Sequence, residues 1–159
     1  MKRAFSLVEI IIILFIISMG LVGVLSLIIQ NIKSQTYNKN NLIAYQLAQE
    51  GVELIRKVRD SNWRNGQPYT TGLPEGSLYM DFEDSVPTLY SGDSGEFGLR
   101  LGADGFFRHG GTDPASGFSR RINLSLQDPD SLIVNVKITW QERGQQSNYD
   151  LQAILYNWH

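Results

Sequence analysis

Ile10-Ile11-Ile12-Ile13-Leu14-Phe15-Ile16-Ile17-Ser18-Met19-Gly20-Leu21-Val22-Gly23-Val24-Leu25-Ser26-Leu27-Ile28-Ile29 is a run of twenty residues, fifteen of them Ile, Leu, Val or Phe and none charged. A helix of about 20 apolar residues crosses the hydrocarbon layer of a bilayer, so this stretch predicts a transmembrane helix. Apart from Glu9, the charges ahead of it are Lys2 and Arg3, and basic residues on one flank favour keeping that flank in the cytoplasm. The expected topology is a single pass through the cytoplasmic (inner) membrane, with the leading end inside and the remainder outside. A cleaved secretory signal has a shorter apolar core followed by small residues, whereas Leu27-Ile28-Ile29-Gln30-Asn31 has no Ala-x-Ala-like pattern. An uncleaved signal anchor remains open.

Beyond the apolar run the helical period continues. Ile43, Leu47, Leu54 and Val58 recur three, four or seven residues apart between Asn41 and Arg59, which predicts an amphipathic continuation with one face against a folded head. Asp60, Ser61, Asn62 and the Asn65-Gly66 pair supply stop signals. A helix from Phe5 to Asn62 would be roughly 85 Å long at 1.5 Å per residue. Gly51 lowers helix propensity by about 1 kcal/mol relative to Ala, and its place on the buried face suits a close approach to a sheet.

From Gly66 to Gly95 the chain reads as loop, with Pro68, Pro74 and Pro87 and a short strand at Leu78 to Phe82. Phe97 to Leu101, the Ala103-Asp104-Gly105 turn and Phe106 to His109 read as a small hairpin. Phe118, Arg120, Ile122, Leu124 and Leu126 alternate with polar partners, and Leu132, Val134, Val136, Ile138 and Trp140 make the clearest strand. Glu142-Arg143-Gly144 begins a turn into a last strand through Tyr149, Leu151, Ala153 and Leu155. The expected fold class is α+β: one long N-terminal helix packed on one face of a C-terminal antiparallel sheet.

Composition narrows the function classes. In 159 residues there is room for an anchor and one modest head, and the formal net charge of -2 provides no basic field to steer the chain to nucleic acid. With no Cys and only His109 and His159, neither a disulfide nor a Cys/His metal site is expected, and no cofactor is implied. Gly92-Asp93-Ser94-Gly95 resembles the nucleophile string of chymotrypsin-like proteases, but both histidines follow Ser94, opposite to that family's order, so a Gly/Ser/Asp turn is expected instead. Asp81, Glu83, Asp84, Asp93 and Glu96 match no EF-hand spacing and read as solvated loop acids. Arg56, Lys57, Arg59, Arg64, Arg100, Arg108, Arg120 and Arg121 read mostly as solvated positives. Trp63, Trp140 and Trp158 are expected in the seam between helix and sheet.

Met1-Lys2-Arg3-Ala4-Phe5-Ser6-Leu7-Val8-Glu9, followed by the apolar run, resembles the leader and mature start of type IV prepilins. In that family a short basic leader ends in a small residue, usually Gly, and a prepilin peptidase cuts before a Phe and methylates its amine. The resemblance implies a leader at residues 1–4 carrying Lys2 and Arg3, a cut between Ala4 and Phe5, and N-methylation of Phe5. It divides the rest into a transmembrane and assembly half of the helix at 5–30, an amphipathic half at 31–63 and a β-rich head at 64–159. It also implies that Glu9 pairs with the Phe5 amine of a neighbouring subunit. Ala4 stands where the family usually has Gly.

On physical grounds, a carboxylate at the centre of a spanning helix costs about 2.5 to 3.5 kcal/mol, against about -4 to -9 for the fifteen apolar residues. The segment inserts despite Glu9. Taken alone, Glu9 reads as a carboxylate favoured by the helix N-terminus; together with the basic leader, Phe5 and an apolar run with no other charge, it reads as the glutamate of the prepilin pattern. Ser18-Met19-Gly20-Leu21-Val22-Gly23 is similar to a glycine-paired stretch of minor pilins and type II secretion pseudopilins, where Gly20 and Gly23 permit filament packing, local melting or an ordinary small-residue helix contact.

Three readings follow. The first is a structural subunit, of the minor-pilin type, of a type IV pilus or related filament, without catalytic chemistry. Its implied partners are prepilin peptidase, other pilin subunits, the inner-membrane assembly platform and the lipid bilayer, and it is extracellular once assembled. A type II secretion or competence pseudopilin shares the same anchor logic. The second is a monomeric membrane-tethered adhesin or ligand-binding module, and the third an anchored hydrolase using Ser94.

Overall fold

The computed structural model describes residues 6–90, 92 and 97–158. The chain divides into two compact units, Met1–Asn40 and Asn41–His159. One helix, α1 (Leu7–Arg64, 58 residues), belongs to both. The Ser6 carbonyl accepts the first helical bond from Ile10 N at 3.2 Å, which puts a favourable N-cap residue at the helix start.

In the first unit every residue from Leu7 to Lys39 is exposed. An 18-residue window of this helix has a mean hydropathy of 2.9, and none of that window is buried. The helix is therefore long and apolar enough to cross a membrane, and its apolar stretch contributes nothing to the core. Ser18 donates its hydroxyl to Leu14 O at 2.7 Å, so this polar group needs no partner from outside the helix. These features are compatible with a single-pass membrane protein.

In the second unit α1 buries Ala44, Leu47, Ala48, Gly51, Val52, Leu54, Ile55, Val58, Arg59 and Asn62. Leu47, Leu54 and Val58 of the expected face are among them, and Ile43 packs half-buried beside them. The helix closes in a Schellman motif: Gln67 N donates to Asn62 O at 2.9 Å, Gly66 N donates to Trp63 O at 3.0 Å, and Gly66 supplies the required positive φ of 66°. Asn62 then fixes the following loop, donating through Nδ2 to Tyr69 O at 3.2 Å and Thr71 O at 2.7 Å.

The sheet is antiparallel throughout. Its strands are β1 (Gly76–Tyr79), β2 (Thr88–Leu89), β3 (Gly98–Leu101), β4 (Phe107–His109), β5 (Ala115–Asp128), β6 (Ser131–Glu142) and β7 (Gln145–Tyr156). The long strand β5 carries β1 and β3 along one side and β6 on the other, and β7 lies outside β6. The β6–β7 hairpin turns at Arg143 (φ 53°) and Gly144 (φ 79°), two left-handed residues whose twist matches the strands they join.

The α+β layout thus agrees with the sequence reading, with two differences in the loop region. The first strand stops at Tyr79 rather than Phe82, because Asp81 N donates to Asp84 Oδ2 at 2.8 Å and Asp84 N to Asp81 O at 3.1 Å, which turns the chain. The segment after it is not all loop, since Thr88 and Leu89 pair with Tyr79 and Leu78.

Gly51 sets the helix-to-sheet distance. A Cβ placed there would lie 2.9 Å from Val136 Cγ1 and 3.2 Å from Val136 Cγ2, and Val136 is a stiff side chain only 1% exposed. Gly51→Ala gains about 1 kcal/mol in helix propensity but overpacks a filled seam, at about 1 to 3 kcal/mol. A net loss of stability is expected in denaturant titrations of the full chain in detergent. In a Val136→Ala background the same change should become neutral or stabilising. Equal effects in both backgrounds would show that this contact does not limit the seam.

Candidate functional site

Two arrangements stand out: the exposed apolar half of α1, and a buried charged cluster that ties its other half to the sheet. In the first, Glu9 sits in the first helical turn and is exposed. Gly20 and Gly23 have open space around their Cα atoms, with nothing within 4 Å of an added Cβ. Both glycines therefore lie on surface available to another molecule. Lys2, Arg3, Ala4 and Phe5 lie outside the described residues, as does Ser94.

The charged cluster is a finding the sequence reading missed. Arg120 points inward from β5 and is completely buried. Its Nη1 forms an ion pair with Glu50 Oε1 of α1 at 3.0 Å. Its Nη2 donates to Met80 O at 2.8 Å and lies 3.5 Å from Asp81 Oδ1. Asp81 is further held by His109, through Nδ1 to Oδ1 at 2.6 Å and through backbone N to Oδ2 at 2.8 Å. One guanidinium thus connects the helix, the segment after β1 and, through Asp81, strand β4.

Several expectations are corrected here. Arg120 is not a solvated positive but a buried one, because the alternation of β5 places it among Phe118, Ile122 and Leu124. Asp81 is not a solvated loop acid: its side chain is only 15% exposed. Arg108 is held between carboxylates, donating to Asp104 Oδ1 and Oδ2 at 3.0 and 2.7 Å and to Glu83 Oε1 at 3.1 Å. These bonds, followed by the one from Phe106 N, lower the Asp104 carboxyl to about 2. Arg100 donates to Asp113 O at 2.5 Å, and of Arg100, Arg108, Arg120 and Arg121 only Arg121 is exposed. Trp140 fills the core and Trp63 packs against it, but Trp158 is 79% exposed and lies outside the seam.

Burial pushes the Asp81 carboxyl up, but the hydrogen bonds from His109 and the charges of His109 and Arg120 outweigh burial and hold it below the usual carboxylate range. A depressed folded-state value stabilises the fold at pH above the unfolded value of about 3.9, and that stabilisation is lost as pH falls through the folded value. Thermal melting of the full chain in detergent should therefore weaken below about pH 4, and Asp81→Asn should flatten that acid-side slope while lowering stability at neutral pH. An unchanged slope would remove Asp81 from the acid response.

Among the described residues no group of three or more His, Cys, Asp or Glu is placed to hold a metal ion. No protein-family model, no curated protein and no solved structure matches this chain.

Proposed function

We propose that this chain is a membrane-anchored, pilin-like structural subunit of the minor-pilin type, which enters a type IV pilus or related filament through the first half of α1. The observation that carries this reading is an exposed apolar helix, free of charge from Ile10 to Ile29 apart from the single carboxylate Glu9 just before it. That helix continues without a break into the half that packs on the head. A simple tether needs the apolar length but neither the Ala4-Phe5 junction behind Lys2 and Arg3 nor a carboxylate beside the apolar run. In this reading prepilin peptidase removes residues 1–4 and methylates Phe5, and the assembly platform in the inner membrane passes the subunit from bilayer to filament.

Glu9→Val supplies the test. If Glu9 serves only the helix N-terminus, its loss costs at most about 1 kcal/mol and filament entry survives. If it neutralises the Phe5 amine of a neighbour, the variant inserts and is cleaved but leaves that amine unpaired in a low-dielectric core. Its share in sheared filaments should then fall at least tenfold. Mass spectrometry of wild type should show a chain beginning at methylated Phe5. Retention of Met1 to Ala4 in the functional protein, or absence of the wild-type chain from sheared filaments, would defeat the filament reading in favour of a tethered binding module, whereas equal incorporation of Glu9→Val and wild type would remove Glu9 from the assembly mechanism.

A further inference from the structure

Two positive side chains meet on the side of the sheet turned away from the core. Arg121 of β5 stands directly opposite Lys137 of β6. Both are exposed, whereas their neighbours Ile122, Val136 and Ile138 point to the other face and are buried. Like charges placed opposite each other across an antiparallel pair destabilise it. A carboxylate could offset the repulsion, but among the described residues none forms an ion pair with either cation. Asp150 lies opposite Lys137 on β7, and its Oδ2 instead accepts from Asn148 Nδ2 at 2.6 Å. The contact that Arg121 makes is with a ring: its Cζ lies 4.4 Å from the centre of Phe97. Phe97 is itself buried and packs on Tyr90 with ring centroids 4.4 Å apart. The guanidinium is thus held in place without being neutralised.

Arg121 and Lys137 line a cleft of about 390 Å³ together with Phe97, Ser119, Thr139 and Gln146. Ser119, Thr139 and Gln146 also line a second cleft, of about 670 Å³, to which β3 contributes Arg100. Both volumes are ordinary for small-ligand sites. In a chain of net charge -2, the two clefts together are lined by three cations and, among the described residues, by no carboxylate. Ser119 and Thr139 share a hydrogen bond. One hydroxyl gives its hydrogen to the other, so the accepting one keeps its own to donate outwards.

We propose that the adjoining clefts bind a phosphate group, free or as the monoester of a small molecule. The choice of anion follows from the number and kind of donors. A carboxylate carries one charge and is satisfied by a single guanidinium fork. Here a guanidinium, an ammonium, a hydroxyl hydrogen and an amide line one cleft from β5, β6 and β7, and a second guanidinium stands in the cleft beside it. A phosphomonoester, with nearly two negative charges at neutral pH and three strong acceptor oxygens, uses that set. Its binding replaces the repulsion between Arg121 and Lys137 with charge-assisted hydrogen bonds. The larger cleft leaves room for the rest of an esterified molecule.

Calorimetric titration of the full chain in detergent, with inorganic phosphate and with glycerol 3-phosphate, tests the site without requiring filament assembly. Both should bind saturably at one site, and acetate at least tenfold more weakly. A tenfold preference for glycerol 3-phosphate would identify an ester as the ligand, and equal affinity the phosphate group itself. Arg121→Gln and Lys137→Gln should each weaken binding at least tenfold, whereas Lys33→Gln, which removes an equal charge from the exposed part of α1, should leave it unchanged. Without phosphate, Lys137→Gln should melt no lower than wild type, because it removes the repulsion, which separates lost binding from a lost fold. A lower melting point for that variant would mean that the two charges are already compensated within the chain, and the proposal falls. No saturable binding of either phosphate, acetate binding as tightly as phosphate, equal weakening by Lys33→Gln, or binding of duplex DNA alone would also overturn it.

Discussion

Arg120→Ala should lower the stability of the head by about 3 to 5 kcal/mol, the range for breaking a buried ion pair by removing one partner. The size follows from what remains. Arg120 is fully buried, with Glu50 3.0 Å from one end of its guanidinium and Asp81 3.5 Å from the other. Without it, two carboxylates face a cavity, and Met80 O loses its 2.8 Å donor. Arg120→Met retains most of the hydrocarbon and isolates the charge effect, so it should fall between alanine and wild type. Denaturant titration of the full chain in detergent measures both. An alanine variant within 1 kcal/mol of wild type would mean that water or protonation replaces the guanidinium at little cost.

Val136→Asp should have an effect of similar size, on the order of 4 kcal/mol or more. Val136 lies in the middle strand of three, paired with Ile122 on one side and Leu151 on the other, and directly against Gly51. A carboxylate here has no room for water, and the nearest charged cluster already contains Glu50 and Asp81. Burial raises the pKa of such a group. The penalty is therefore full at pH above its folded value and shrinks as pH falls towards the unfolded value of about 3.9. Val136→Asn, of similar shape but uncharged, should lose less and show no such pH dependence. Equal losses for Asp and Asn at neutral pH would assign the effect to shape and hydrogen bonding rather than charge.

The apolar run, the amphipathic face through Leu47, Leu54 and Val58, the Asn65-Gly66 stop and the alternation in β5 and β6 could all be read from the chain, because each is a local rule. Helical period, turn chemistry and strand period act over a few residues and need no knowledge of the partner. Even Arg120 left a signal, since the alternation put a charge on the apolar face of its strand. A buried positive there requires carboxylates from elsewhere. Which carboxylates was not legible: Glu50 is seventy residues away along the chain, and Asp81 and His109 come from short irregular segments without periodicity. The same holds for Trp158, whose aromatic character suggested the seam although its position leaves it 79% exposed.

Local sequence thus carried a helix long and apolar enough to cross a membrane, the change from its apolar half to its amphipathic half, and the α+β order, because hydrophobic patterning and capping are encoded within a turn or two. The choice of Gly51 against Val136, the linkage of Glu50, Arg120, Asp81 and His109, and the opposition of Arg121 and Lys137 came from the fold alone. Each depends on which strands become neighbours, and β5 has two partners on one side and one on the other, an arrangement that no short stretch of chain specifies. Charges buried at such a junction are settled only when distant segments meet, since water is excluded there and a partner must be found within the protein.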